Sequence, residues 1–92
     1  MIDEFGALSN DEVKVRIDGL FTELNQTPGS RGVIINYGTP AEIRRRRALI
    51  VGHIRFRRLD LGRITFIDGP DTGAGINTKL YVVPANAADP IP

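Results

Sequence analysis

Arginine side chains crowd one stretch of the sequence, and they are the residues best suited to bind a charged ligand. Eight arginines fall between positions 44 and 63, and Asp60 is the only acidic residue among them. A guanidinium group stays charged at any relevant pH and pairs bidentately with carboxylates and phosphates. The candidate ligand-binding residues are Arg44, Arg45, Arg46, Arg47, Arg57 and Arg58.

The arginine stretch has two interpretations that the sequence leaves open. One is a surface for an anionic partner, such as a cell-wall component or another acidic polymer. The other is a solvated helix face, on which Arg46, Arg47 and Arg57 would pack their alkyl stems beside the core and keep their charged heads outside. Nucleic acid is the less favoured partner, because only Phe56 lies among the arginines as an aromatic platform.

Other side-chain chemistries find little support. The chain has no cysteine and a single histidine, His53, so it offers no thiolate nucleophile, no disulfide and no histidine-rich metal site. No nucleophile with an orienting base and no paired carboxylates stand out. We therefore predict a protein that is not an enzyme and that uses no cofactor or metal. His53 is interpreted as a residue at the boundary of the core.

A glycine-rich segment at 69–75 superficially suggests a phosphate-binding loop. Such a loop follows a strand and opens a helix, with a lysine and a hydroxyl at fixed offsets. This segment instead leads into a run typical of a strand, so we predict a hairpin loop. Asp68, Asp71 and Thr72 lack the spacing of a calcium loop and are interpreted as turn residues.

Two helices are predicted from their start signals and from apolar residues at helical spacing. Ser9 followed by Glu12 is typical of a helix start, and this helix is placed at about 10–26. A proline behind an N-cap threonine starts the second helix, which extends over about 40–57 and carries most of the arginines. Its apolar face should lie on a sheet and contains Ile43, Ile50 and Ile54.

Short apolar runs indicate four strands, at 2–6, 32–37, 64–67 and 79–83. A strand, a helix and a strand in close succession imply a parallel pair with a right-handed crossover, and the last strand can turn back to pair antiparallel. The predicted fold class is α/β (α+β), a β-α-β-α-β-β two-layer sandwich in which two helices cover a mixed sheet. One domain should span 1–84, with a disordered tail at 85–92.

Length and composition set further limits. Ninety-two residues allow one domain, and no run approaches the roughly 20 apolar residues that span a bilayer, so membrane insertion is not expected. The net charge of +1 conceals the arginine stretch, because most acidic residues lie elsewhere. The sequence does not indicate an oligomeric state.

Several residues of the second helix and its exit resemble a segment of OmpA-like domains. In that segment a "YL…GI…RI" pattern follows an arginine-alanine pair, and the matching residues here are Arg46-Arg47, His53-Ile54, Leu59 and Arg63-Ile64. The element order and the closing LYVVPANA are similar to OmpA-related domains at the C-termini of bacterial envelope or secreted proteins. The resemblance implies a periplasmic or extracellular interaction or structural module.

The same resemblance implies a peptidoglycan ligand. In the family, an aspartate of a "TD" loop and the helix arginine grip the carboxylate and amine of a peptidoglycan stem peptide. Here the loop is shortened to Gly38-Thr39-Pro40 and the aspartate is absent, so that only Arg46 matches. Arg47 stands where the family has a small alanine. The implied peptidoglycan site is therefore degenerate. The alternative is an anion-binding module that binds nucleic acid or an acidic polymer through the arginine-rich second helix.

Overall fold

The computed structural model describes residues 1–92 and confirms the α+β fold class. The elements in chain order are β1 (Asp3–Phe5), α1 (Asn10–Gln26), β2 (Arg31–Tyr37), α2 (Pro40–Phe56), a short 3₁₀ helix (Leu61–Arg63), β3 (Ile64–Asp68) and β4 (Asn77–Val83). Both predicted helices and all four predicted strands are present, and only the 3₁₀ helix has no counterpart in the prediction.

The two helix starts differ in how completely their caps form. At α2 the Thr39 hydroxyl accepts a bond from the Glu42 N–H at 3.2 Å, and the Glu42 carboxylate accepts one from the Thr39 N–H at 2.9 Å. At α1 the Ser9 hydroxyl accepts from the Glu12 N–H at 3.2 Å, but the return bond is not made. A serine and a glutamate at this spacing can form a reciprocal capping box, and at α1 only half of it is formed.

The sheet is mixed, with strand order β1-β4-β2-β3. β2 and β3 are parallel as predicted, and β4 runs antiparallel to both β2 and β1. The prediction of a hairpin loop at 69–75 is wrong, because β2 lies between β3 and β4. β2 is buried along nearly its whole length. A hairpin of β3 and β4 would have left the backbone groups on one side of this buried strand unpaired.

Both helices pack on one face of the sheet. The main core joins buried residues of α1 and α2 to Ile34 of β2 and Leu80 of β4, both of which are fully buried. A second cluster lies on the opposite face and contains Val33, Ile35, Tyr37 and Val83. Neither helix has the length and apolarity that crossing a membrane requires.

The segment that follows β4 forms neither helix nor strand. Arg31 of β2 contacts it at three points: its Nε lies 2.7 Å from an oxygen of Asp89, and its two terminal nitrogens donate to the carbonyls of Pro84 and Ala87. The disorder expected of 85–92 stays a prediction.

Candidate functional site

Arg46 points into the fold. Its side chain is 7% exposed, and its terminal nitrogens donate to the Thr78 hydroxyl at 2.7 Å and the Gly6 carbonyl at 2.8 Å. The Thr78 hydroxyl in turn donates to the Asn36 side-chain carbonyl at 2.6 Å. The Arg46 guanidinium also lies 5.2 Å from the centre of the Phe5 ring. Arg46 therefore joins α2 to the sheet and to the segment that follows β1.

The expectation that Arg46 keeps its charged head outside is wrong. Thr78 and the Gly6 carbonyl lie beneath α2 and supply acceptors that the sequence alone does not reveal. Burial lowers the pKa of the Arg46 guanidinium, but an arginine in a protein stays charged. In the OmpA-like comparison this is the arginine that would grip a stem peptide, and here two of its donors are bonded to the protein.

Arg57 and His53 face α1. The Nε2 atom of His53 lies 2.7 Å from one oxygen of Asp18, and Arg57 lies 3.5 Å from the other. His53 is 8% exposed, so it is a buried contact between the two helices and not the boundary residue predicted from the sequence. Its partner lies 35 positions away in the chain. Spacing within α2 therefore could not reveal it.

Arg63 is also engaged within the fold. It follows the 3₁₀ helix and donates to the carbonyl of Leu24 at 3.0 Å and to that of Ser30 at 2.9 Å. The Leu24 carbonyl also accepts a bond from the N–H of Thr27, the residue that ends α1, at 3.2 Å. Arg63 thus bonds to the C-terminal end of α1, and nothing in its contacts indicates a role in ligand binding.

The remaining arginines of the stretch are exposed and form no ion pair. They are Arg44, Arg45, Arg47, Arg55 and Arg58. Three of them, Arg44, Arg47 and Arg55, fall within about 80° of one another on α2 at 100° per residue, and we call these three the arginine ridge. The ridge follows the side of α2 above β3, since the Arg47 guanidinium lies 4.7 Å from the centre of the Phe66 ring.

The structure thus divides the six predicted site residues. Arg44 and Arg47 belong to the ridge, Arg46 is buried, and Arg57 faces Asp18. Arg45 lies apart, beside a groove of about 350 Å³ between the N-terminal ends of the helices. Arg55 belongs to the ridge but was not among the predicted site residues. Its offset of eleven positions from Arg44, close to three helical turns, is the signal that could have found it.

Arg58 ends α2 in an unusual backbone conformation. Its φ of 55° lies in the left-handed region, which arginine rarely adopts. The Leu59 N–H bonds to the Ile54 carbonyl and the Arg58 N–H to that of Arg55, which together form a Schellman motif. Glycine usually occupies the position of Arg58 in this motif, because a side chain there costs about 1 kcal/mol.

Two clefts lie near the ends of the parallel strands. One, of about 370 Å³, places Arg44 beside Asp68 and Asp71. The other, of about 420 Å³, lies between the glycine-rich loop and the β1–β4 edge. The side chain of Asp71 accepts a bond from the Gly73 N–H at 3.0 Å, which confirms its interpretation as a turn residue. The same interpretation is wrong for Asp68, which is the last residue of β3. No three histidine, cysteine or acidic side chains come together as metal ligands.

Comparisons with protein-family models, with curated proteins and with solved structures return no match for this chain. The OmpA-like resemblance therefore stays a prediction.

Proposed function

We propose that this domain is a non-enzymatic interaction module that binds an anionic partner through the arginine ridge. The observation that carries the proposal is the set of exposed, unpaired guanidinium groups on one side of α2. Arg44 and Arg55 stand about 16 Å apart along the helix axis. A row of charges that no acid neutralises by direct pairing creates a positive field, which attracts anions and speeds their encounter.

The backbone conformation of Arg58 also supports the proposal that this surface binds an anion. This residue adds a further exposed charge at the end of α2, at a position where glycine would be more stable. A residue kept in an unfavourable backbone region motivates a hypothesis of function. We interpret the charge of Arg58 as part of the same positive surface, which it extends beyond the last turn of the helix.

We also propose that the module belongs to the bacterial envelope or exterior and that its OmpA-like peptidoglycan site is degenerate. The location follows from the sequence resemblance alone. The degeneracy has two supports, namely the missing loop aspartate and the bonding of Arg46 to Thr78 and to the Gly6 carbonyl. An arginine held in this way does not present both arms of its guanidinium to a stem-peptide carboxylate.

The affinity of heparin for two variants of equal net charge tests the anionic surface. The first variant changes Arg44, Arg47 and Arg55 to glutamine, and the second changes Lys14, Arg45 and Lys79, which lie elsewhere. We expect the ridge variant to lose at least about tenfold in affinity at low salt, and the dispersed variant to lose much less. Equal losses would mean that net charge alone attracts the polymer and would overturn the proposal.

Co-sedimentation with purified peptidoglycan sacculi tests the degenerate site. We expect the domain to stay in the supernatant at physiological salt. Saturable co-sedimentation that Arg46→Ala removes and the ridge variant keeps would contradict this part of the proposal, because it would assign ligand binding to the buried arginine. Circular dichroism of Arg46→Ala is needed as a control that the variant is folded.

A further inference from the structure

The two edges of the sheet are protected very differently. β1 forms one edge, is three residues long and carries two acidic residues, Asp3 and Glu4. β3 forms the other edge, with the sequence Ile-Thr-Phe-Ile-Asp, and contains no lysine, proline or glycine. Proteins usually blunt an exposed strand edge by short length, charge or proline, because an open edge is a template for another strand. The β1 edge has both short length and charge, whereas the β3 edge carries a single charged residue, Asp68, at its end.

The unpaired backbone groups of β3 can be identified. The Gly69 N–H donates to the Asn36 carbonyl of β2 at 2.8 Å. Successive residues of a strand direct their backbone groups to opposite sides, so Thr65 and Ile67 also face β2. Phe66 and Asp68 therefore face away from it, and neither the N–H nor the carbonyl of Phe66 has a partner elsewhere in the sheet.

The arginine ridge runs beside this open edge. Arg47 contacts the Phe66 ring, and Arg44 lies beside Asp68 at the end of the strand. The ridge is about 16 Å long, which is also about the length of five extended residues. An added strand would direct every second side chain toward the helix layer, and so toward the ridge.

We infer that the β3 edge binds an extended polypeptide segment with acidic residues at alternate positions, which pairs with β3 as a fifth strand. The inference deepens the proposed function and rests on it, since it names the anion that the ridge attracts. Backbone hydrogen bonds would supply affinity that is independent of sequence, and the ridge would select acidic side chains.

Charge argues against a second copy of this chain as the occupant. Pairing two β3 edges would bring two arginine ridges to the same side of one continuous sheet. Like charges placed together oppose association, whereas an acidic segment is complementary to the ridge.

The test uses the full chain and an eight-residue peptide that alternates threonine and glutamate. Two derivatives carry N-methyl groups, one on every threonine amide and the other on every glutamate amide. Both keep the charge of the parent peptide, and each removes the donors on one side of an extended strand. Strand addition predicts that one derivative loses at least about tenfold in affinity while the other binds nearly as well as the parent.

Amide hydrogen exchange provides the second measurement. We expect saturating peptide to slow the exchange of the Phe66 amide at least about tenfold. The Ile67 amide, which already faces β2, should change little. The ridge variant with glutamine at 44, 47 and 55 should lose most of its affinity for the peptide.

The outcomes separate this inference from the proposed function. Equal binding of both N-methylated derivatives, with no slowing at Phe66, would overturn strand addition while leaving anion binding in place. Failure of both the peptide and heparin to bind at low salt would overturn the proposed function as well. If the ridge variant still bound the peptide, the inference that the ridge selects an acidic partner would be overturned. If the Phe66 amide became more protected as the protein concentration rose, with no peptide present, the β3 edge would pair with a second copy of this chain and the inference would be overturned.

Discussion

Arg46 and Arg47 are neighbours in the sequence, yet one guanidinium lies inside the fold and the other on its surface. Arg46 bonds to a threonine hydroxyl and a backbone carbonyl, whereas Arg47 lies over an aromatic ring at the rim of the sheet. A step of one residue turns a helix by about 100°, which is enough to separate a core position from an exposed one. A run of like residues is therefore a poor guide to a common role.

The same contrast extends along the arginine stretch. Arg46, Arg57 and Arg63 hold α2 to the sheet, α2 to α1, and the end of α1 to the following strands. The arginines of the ridge have no such partners. We therefore expect substitutions in the first group to change stability, and substitutions in the ridge to change binding.

The largest expected effect comes from the apolar face of α2. Ile50 is fully buried, and Ile50→Ala should lower the free energy of unfolding by about 2–5 kcal/mol, because it leaves a cavity in the main core. Val51 is only partly buried, so Val51→Ala is the control and should cost clearly less. Urea denaturation measures both. Equal effects would show that the buried face of α2 is wrongly assigned.

The next prediction compares the two neighbouring arginines directly. Arg46→Ala should lower the free energy of unfolding by about 2–4 kcal/mol, since it removes buried packing and leaves the Gly6 carbonyl without its donor. Arg47→Ala should cost at most about 1 kcal/mol, the size of an exposed cation–π contact. Both variants place the same residue in the same helix. Similar losses in urea denaturation would remove the distinction between an inner and an outer arginine.

Arg58→Gly should raise stability. Glycine adopts the left-handed conformation without the steric cost that an arginine side chain incurs, so we expect a gain of about 0.5–1 kcal/mol. The same change should weaken heparin binding, because it removes one exposed charge. A thermal melt and a binding titration measure the two effects. Loss of stability in this variant would contradict the strained position assigned to Arg58.

The smallest effect is expected at the contact between the helices. Asp18→Asn should lower the free energy of unfolding by up to about 1 kcal/mol, because it weakens the contacts of a partly exposed carboxylate with His53 and Arg57. Asp11→Asn, at an exposed position in the first turn of α1, is the control for losing one negative charge. A cost of several kcal/mol at Asp18 would place this cluster among the main determinants of the fold.

Local signals in the sequence were sufficient to predict the elements. Apolar spacing and the N-cap residues place α1 and α2 almost to the residue, and the apolar run of β2 predicts a buried strand. The position of β4 in the sheet depends on which strand pairs with the second side of β2. The local sequence pattern of β4 does not indicate its pairing partner, and the hairpin prediction was wrong for this reason.

The candidate site was predicted less well than the fold. Arginines at 44 and 47 were identified, but the burial of Arg46 depends on Thr78, which lies 32 positions further along the chain. Arg55 could have been predicted as part of the ridge, because it lies about three helical turns after Arg44. The strained backbone of Arg58 could not be inferred, because arginine has no preference for the left-handed region.

In the proposed function the exposed arginines of α2, and not Arg46, meet an anionic partner. The most direct test of this claim is an NMR titration with heparin at low salt that follows the Nε–H resonances of individual arginines. We expect those of Arg44, Arg47 and Arg55 to shift with one common affinity that falls steeply as salt is added, while that of Arg46 stays unchanged. Saturable shifts at Arg46 or confined to the glycine-rich loop at 69–75, or no shifts at low salt, would contradict the claim.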